Sequence, residues 1–334
     1  MHKILILSLS FLILSCNSKA KLQDDAAVKT DTTNEFVIAF GSCNKHNETQ
    51  DMWDVIAVQQ PDLWIWLGDM IYGDTKNMSK MKEKYVLQNQ VKEYADFVAE
   101  VPIIGTWDDH DYGVNNGDKF YPMKKESRDL ALDFLRVPKK AQVWNREGLY
   151  QNHEYTFDGK LIRVILLDIR YFSDRAFKKN KKYTKDPKAD ILGKEQWKWL
   201  KQELAKEEDL LIIGSGIQFI PEEHRFEKWA NFPSSRTKLF DLLDADLSKN
   251  IILLSGDRHL AEISKIDLPS KSVIEITSSG LTHHYRGFNG EPNTARIGDV
   301  CPERNFGSIK LTSDSMFLRI HKKERLHFEL PIAW

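Results

Sequence analysis

Cysteine is scarce in this chain: three copies in 334 residues. That excludes a disulfide-stapled scaffold and leaves, beside Cys16, only Cys43 and Cys301 as an internal pair. A surplus of one charge is absent too, with 48 Lys and Arg against 49 Asp and Glu and a formal net charge of -1. A broad basic face for nucleic acid is therefore not expected. Long apolar runs are missing as well. The run from Ile4 to Leu14 is too short to span a bilayer comfortably. No internal repeat and no linker divides the chain. What remains is an ordinary globular composition, 41% hydrophobic and 29% charged, long enough to bury a large core. Nine tryptophans are compatible with such a core or with carbohydrate contact.

The N-terminus reads as a processing segment rather than as part of the fold. Lys3 is followed by the apolar run, which ends in Ile13-Leu14-Ser15-Cys16. This resembles a bacterial lipoprotein signal, with residues 1–15 removed and Cys16 lipidated. Residues 17 to about 33 are polar and read as a flexible tether, so 16–33 form the anchor and 34–334 one catalytic-sized domain. The expected location is the bacterial cell envelope, lipid-anchored, in the outer membrane or facing the periplasm, because Ser18 is not the aspartate that signals inner-membrane retention.

Along the rest of the chain, short apolar runs alternate with helical periodicity. Strands are expected at Glu35–Phe40, Leu63–Leu67, Pro102–Thr106, Leu149–Phe157, Leu161–Leu167, Leu210–Ile213 and Ile251–Leu254. Helices are expected at Asp51–Gln60, Met78–Ala99, Lys124–Leu135, Lys194–Lys206 and near Ser235–Asp244. The tail reads as strands. A basic loop, Lys178 to Lys188, is expected to be a solvated excursion.

Five of the apolar runs end in small residues followed by groups able to bind metal or phosphate. They deliver Cys43, Asp69 with Tyr72, Asp109 with His110, Gln218, and Asp257 with His259. In an α/β sheet, ligands bind where loops converge at the carboxyl ends of the strands. Asp257 and His259 are two apart and point the same way in an extended segment. Any one of these acids could be a helix cap or turn residue; five in register are hard to explain so. Thiol and phenol ionise near pH 8.5 and 10, roughly, so only a strong Lewis acid holds both deprotonated at neutral pH. Fe(III) fits best. Surplus oxygen donors, Asp74, Asp108, Asp111 and Asn116, suit a harder ion such as Ca(II) or Mg(II). The chemistry reads as a multinuclear metal hydrolase.

The series Gly-Ser-Cys43, Gly-Asp69-x-x-Tyr72, Trp-Asp-Asp109-His110-Asp, Leu-Asp168-x-Arg170-Tyr and Ser-Gly-Asp257-x-His259 resembles the PhoD-like alkaline phosphatases of the calcineurin-like metallophosphoesterase superfamily. The resemblance runs from about residue 36 to the Asn305-Phe306-Gly307 segment. It implies an α/β fold, a four-layer α/β/β/α metallophosphoesterase sandwich, and a site with Fe(III) and Ca(II). Carried over by position, Cys43, Asp69, Tyr72 and His259 hold the iron, Asp69 bridges to calcium, and Asp109 and Asp257 are further ligands. The chain departs from the family in two respects. Only a signal and a tether precede the Gly-Ser-Cys motif, where the family often has a β domain. Gly-Asp-Val-His is Gly-Asp-Arg258-His here, so Arg258 either contacts phosphate or faces away.

The implied reaction is hydrolysis of phosphate esters by a metal-activated hydroxide attacking phosphorus in line. His110, beside Asp109, is placed to act as general acid or to orient Asp109. Arg170 and Arg286 are candidate phosphate clamps, because a guanidinium matches two phosphate oxygens. The expected partners are a phosphate ester substrate and a membrane through lipidated Cys16, with the protein a monomer. A phosphodiesterase or phospholipase on the same metals is the alternative enzyme; a ligand- or glycan-binding surface lipoprotein is the alternative without catalysis.

Overall fold

The computed structural model describes residues 35–180, 182–248 and 250–334. The signal, Cys16 and the tether lie outside the described residues. Among the described residues, no helix is long and apolar enough to cross a membrane.

Along the strand Leu63–Leu67, Trp64 and Trp66 alternate with leucine and isoleucine. Successive strand residues face opposite sides, so this strand is apolar on both faces and both need cover. Leu63, Ile65 and Leu67 join Ile38 and Phe40 in one core, which also holds Val164, Leu166, Ile212, Ile252 and Leu254 from a second sheet. Trp64 and Trp66 face the other way and pack with Trp53, Tyr94 and Phe97 under helices. The second sheet repeats the pattern. Its Ile165, Leu211, Ile213 and Leu253 pack against Trp197, Leu200, Leu239 and Leu243 of the helices Gly193–Glu203 and Pro233–Ala245. The layers are therefore helix, sheet, sheet, helix.

The first sheet has six strands, in the order Leu326–Ala333, Ser315–Lys322, Asn305–Leu311, Phe36–Gly41, Leu63–Leu67, Ile103–Thr106. The second has seven: Arg296–Cys301, Ala261–Asp267, Ser272–Ser278, Asn250–Ser255, Leu210–Ser215, Lys160–Leu166, Gln151–Phe157. Phe36–Gly41, Leu63–Leu67 and Ile103–Thr106 run parallel. So do Lys160–Leu166, Leu210–Ser215, Asn250–Ser255 and Ser272–Ser278. Antiparallel strands flank both sets.

Three expectations change. The helix expected over Met78–Ala99 is two, Met78–Gln90 and Lys92–Glu100, broken at Val91 with φ -62° and ψ 117°. Tyr85 and Tyr94 are both buried in the same core. On a straight helix residues nine apart lie about 180° apart, so only a break lets both point inward. Second, the strands Ala261–Asp267 and Arg296–Cys301 were not legible, because Glu262 and Ser264 are buried and blur the alternation. Third, Cys43 and Cys301 are both free thiols, Cys301 within the intersheet core, so the disulfide reading is set aside. The tryptophans settle as core. Trp53, Trp64, Trp66, Trp107 and Trp229 are fully buried, and Trp144, Trp197, Trp199 and Trp334 are at most partly exposed. None forms the open platform that the glycan-binding alternative needs.

Candidate metal centre

The carboxyl ends of the parallel strands carry donors on sharply turned backbone. Cys43 follows Phe36–Gly41 with φ 61°, and Asp69 follows Leu63–Leu67 with φ 50°. Asp257 and His259 follow Asn250–Ser255 with φ 64° and 55°. Left-handed backbone costs a non-glycine residue of order 1–3 kcal/mol and concentrates at functional sites. The turns are locked from outside. Asn44 N–H donates to the Asp69 carbonyl at 2.9 Å, and Gly256 N–H donates to the Gly216 carbonyl at 3.0 Å.

Three groups of donor atoms result, each within 4.8 Å of one another: Cys43, Asp69 and His259; Asp69, Asp109 and His110; and Asp108, Asp109 and Asp257. Asp69 and Asp109 are shared, so the groups form one continuous cluster. Tyr72 completes the first. Its Oη lies 3.4 Å from Asp69 Oδ2 and 3.2 Å from His259 Nε2, and Cys43 Sγ is 3.5 Å from Asp69 Oδ2. Ligands in adjacent positions around one ion with bonds of about 2.0–2.3 Å stand about 3 Å apart, so these spacings suit a common cation.

Such a gathering of acids is costly without cations. Burial, and then the charges of neighbouring carboxylates such as Asp109, push the Asp69 carboxyl well up from its usual range. Burial raises Asp257 to about 6. Burial, followed by the charges of Asp69 and Asp257, pushes the Cys43 thiol up, and burial does the same to the Tyr72 phenol. Asp108 Oδ2 and Asp109 Oδ1 are buried with no hydrogen-bond partner among the described residues. Buried acceptors of this kind need a partner, and a metal ion is the one that suits a cluster of four acids. The donors also sort by softness. Thiol, phenol and the His259 imidazole gather with Asp69, the group of Asp108, Asp109 and Asp257 offers carboxylates alone, and the His110 imidazole stands in the group shared by Asp69 and Asp109.

Several residues turn out to have supporting places. Asp111 accepts from the backbone N–H of Asp108 at 2.7 Å and of Met70 at 3.1 Å, so it pins two site loops. Asp74 accepts from His110 Nδ1 at 2.8 Å. Burial works against a charged imidazole, but Asp74, Asp69 and Asp109 push His110 up to about 10. The Asn116 and Asn115 amides donate to Asp109 Oδ2. Tyr183, from the basic Lys178–Lys188 segment, donates to Asn116 Oδ1, so this expected excursion reaches back to the site.

Gln218 is not brought into the cluster. Its Nε2 donates to Glu262 Oε1 and Thr277 Oγ1, both at 2.8 Å. Arg258 faces away from the donors: its Nε donates to Gln218 Oε1 at 3.2 Å, and it pairs with Glu291. Arg170 is buried with its guanidinium between Asp108 and Glu227, and not presented to a substrate. Arg286 is exposed, on a loop held to His259 by the Tyr285 N–H, which donates to the His259 carbonyl at 2.8 Å.

Asp108 and His283 were the residues that sequence reasoning undervalued. Asp108 stood only among surplus oxygens; its cradle is built by two glycines. A Cβ on Gly216 would lie 2.5 Å from Asp108 Oδ1, and one on Gly68, at φ +91°, would lie 2.4 Å from Asp108 Cβ. Those glycines stand 40 and 108 residues from Asp108 in the chain, so no local signal marked it.

Solved structures share this architecture. One described as PhoD superposes with a TM-score of 0.68 at 19% identity, over 90% of this chain and 68% of that one. A purple acid phosphatase from yellow lupin, Lupinus luteus, gives 0.64 at 13% identity, over 90% and 54%. A dimetal phosphatase from Danio rerio gives 0.57 at 12% identity, over 90% and 99%. At these identities the likeness shows the fold, two facing sheets with helices on their outer sides. No curated protein matches the sequence. The PhoD-like phosphatase family matches residues 38–299, and the chain belongs to that family. It is thus a metal-dependent hydrolase of phosphoric esters.

Proposed function

We propose that the protein is an alkaline phosphatase of the PhoD type whose metals are Fe(III) and Ca(II). The observation that supports this is the sorting of donors about Asp69. Cys43, Asp69, Tyr72 and His259 would hold the iron, a set in which thiolate and phenolate both need a strong Lewis acid. Asp109 and Asp257, with Asp108, would hold calcium by oxygen alone, and Asp69, shared by two donor groups, would serve as a further ligand to it. When bound, the metals supply an acidified water and charge neutralisation at phosphate.

The chain's own residues do the rest. His110, held by Asp74, is the proton donor to the leaving oxygen. Arg286, exposed beside the His259 loop, contacts the phosphate of the substrate. Arg170 acts through Asp108 rather than on substrate. Residues 34–334 form the catalytic domain, working as a monomer, and Cys16 anchors it by lipid in the bacterial envelope after removal of residues 1–15.

The test is metal analysis of the purified protein, with wild type and Cys43→Ala assayed on p-nitrophenyl phosphate and bis-p-nitrophenyl phosphate. Iron and calcium in the wild type, and loss of iron and turnover in the variant, are expected. Full activity of the variant with unchanged iron would overturn the iron assignment. The ratio of the two rates decides between monoesterase and diesterase. Incorporation of labelled palmitate that disappears in Cys16→Ser tests the anchor.

A further inference from the structure

The loop after the strand Ser272–Ser278 holds two residues with a place in no step described above, Thr282 and His283. Thr282 is buried and its hydroxyl is a three-way junction. It accepts from the Lys45 N–H at 2.9 Å and lies 3.2 Å from the Cys43 carbonyl, which already takes the Thr282 N–H, and 3.0 Å from His283 Nδ1. A Tyr72 phenolate has no proton to give, so beside a Tyr72 ligand the imidazole carries its proton on Nε2 and the Thr282 hydroxyl donates to Nδ1. The Nε2–H then meets Tyr72 Oη at 3.0 Å.

Three side-chain atoms stand about the phenol oxygen: His283 Nε2 at 3.0 Å, His259 Nε2 at 3.2 Å and Asp69 Oδ2 at 3.4 Å. The shortest contact is to His283. Its ring also meets the Tyr72 ring nearly edge-on, with centroids 5.3 Å apart and planes at 70°, and it stands against His259 at 4.4 Å and 69°. His283 is absent from the three donor groups, whose atoms lie within 4.8 Å of one another. It therefore touches the cluster from behind, through the phenol.

We propose that His283 is a positioning residue for Tyr72, aiming the phenol oxygen at the Cys43, Asp69 and His259 donors, with Thr282 fixing the imidazole tautomer and tying both to the Cys43 loop. Hydrogen-bonded partners behind a ligand set its direction and are worth about 10–100-fold in metal affinity. This rests on the reading of Tyr72 as a ligand, and the experiment separates the two.

The full-length protein is loaded with Fe(III), and its tyrosinate-to-iron charge-transfer band is recorded with the iron content under a competing chelator. Wild type should show the band and Tyr72→Phe should lose it; a band absent from wild type, or kept by Tyr72→Phe, overturns the ligand reading itself. With that reading standing, His283→Phe should keep a metal-free melting temperature near that of wild type, shift or weaken the band, and bind iron about 10–100-fold less tightly. His283→Gln, whose amide reaches the position of Nε2, should restore most of the band. A His283→Phe protein with an unaltered band and unaltered iron affinity would overturn the proposal. So would a loss that His283→Gln shares in full.

Discussion

Asp108, a member of the donor cluster, forms a buried ion pair with Arg170. Arg170 Nε donates to Asp108 Oδ1 at 2.7 Å, Nη2 lies 2.6 Å from the same oxygen, and the two side chains are 2% and 0% exposed. Glu227 takes Nη1 at 2.8 Å. A guanidinium in this setting holds a neighbouring carboxylate in place and offsets its charge. Removing one member of a buried pair leaves the other uncompensated, at a cost of about 3–5 kcal/mol. Arg170→Met should therefore lower unfolding free energy by that order, measured by urea denaturation. A variant with unchanged stability and only a raised KM would restore Arg170 as a substrate contact.

Asp69 sits in two of the three donor groups. Asp69→Asn keeps its shape, and asparagine tolerates the same left-handed backbone, so the fold should survive. Metal retention should not. We expect both metals to be weakened by at least about 100-fold, beyond the usual effect of a residue behind the ligands. Elemental analysis after dialysis against chelator checks this. Loss of one metal with full retention of the other would show that Asp69 serves a single ion.

The His110 imidazole is held by Asp74 and raised to about 10. A proton donor matters most where the leaving group is a poor one. His110→Asn should lower kcat on an alkyl phosphate by about 10²–10⁴ and on p-nitrophenyl phosphate by much less. Asp74→Asn should show the same preference in weaker form. Equal losses on both esters would assign His110 to orienting Asp109.

His321 lies far along the chain from the donors, on Ser315–Lys322, stacked on Phe306 at 4.5 Å and 2.8 Å from Ser308 Oγ. Burial, aided by the Arg319 charge, lowers it to about 4. Folding thus favours its neutral form. The stability it contributes is complete above the unfolded value of about 6.5 and is lost as pH falls toward 4. His153, also lowered by burial to about 4, adds in the same direction. Melting temperature should fall from pH 6.5 to pH 4, and His321→Phe should fall less steeply, the difference reaching roughly 3 kcal/mol at most. Identical slopes would count against a buried neutral His321.

The sheet strands were legible because Leu63–Leu67 and its counterparts are apolar on both faces, which admits little but a buried sheet. The donors Cys43, Asp69, Asp257 and His259 were legible for a related reason: each stands just past such a run, where topology gathers loop ends. Adjacency misled at Arg170. It follows Asp168 by two positions, just past a strand, and was a candidate phosphate clamp, yet its partner Asp108 is 62 residues away. The same holds for Thr282, whose hydroxyl meets a carbonyl 239 residues distant. Strand patterns are local in sequence; what a loop side chain meets is decided by the packing of the two sheets.

Cys43, Asp69, Asp257 and His259 all sit on left-handed backbone. Glycine would adopt those angles at no steric cost. The fold therefore contains four positions where the residue best for chemistry is not the residue best for folding. A screen for thermal resistance alone should drift toward glycine or asparagine there and yield sturdier, inert proteins. Activity and durability pull apart at this site, so any attempt to harden the enzyme has to look elsewhere in the chain.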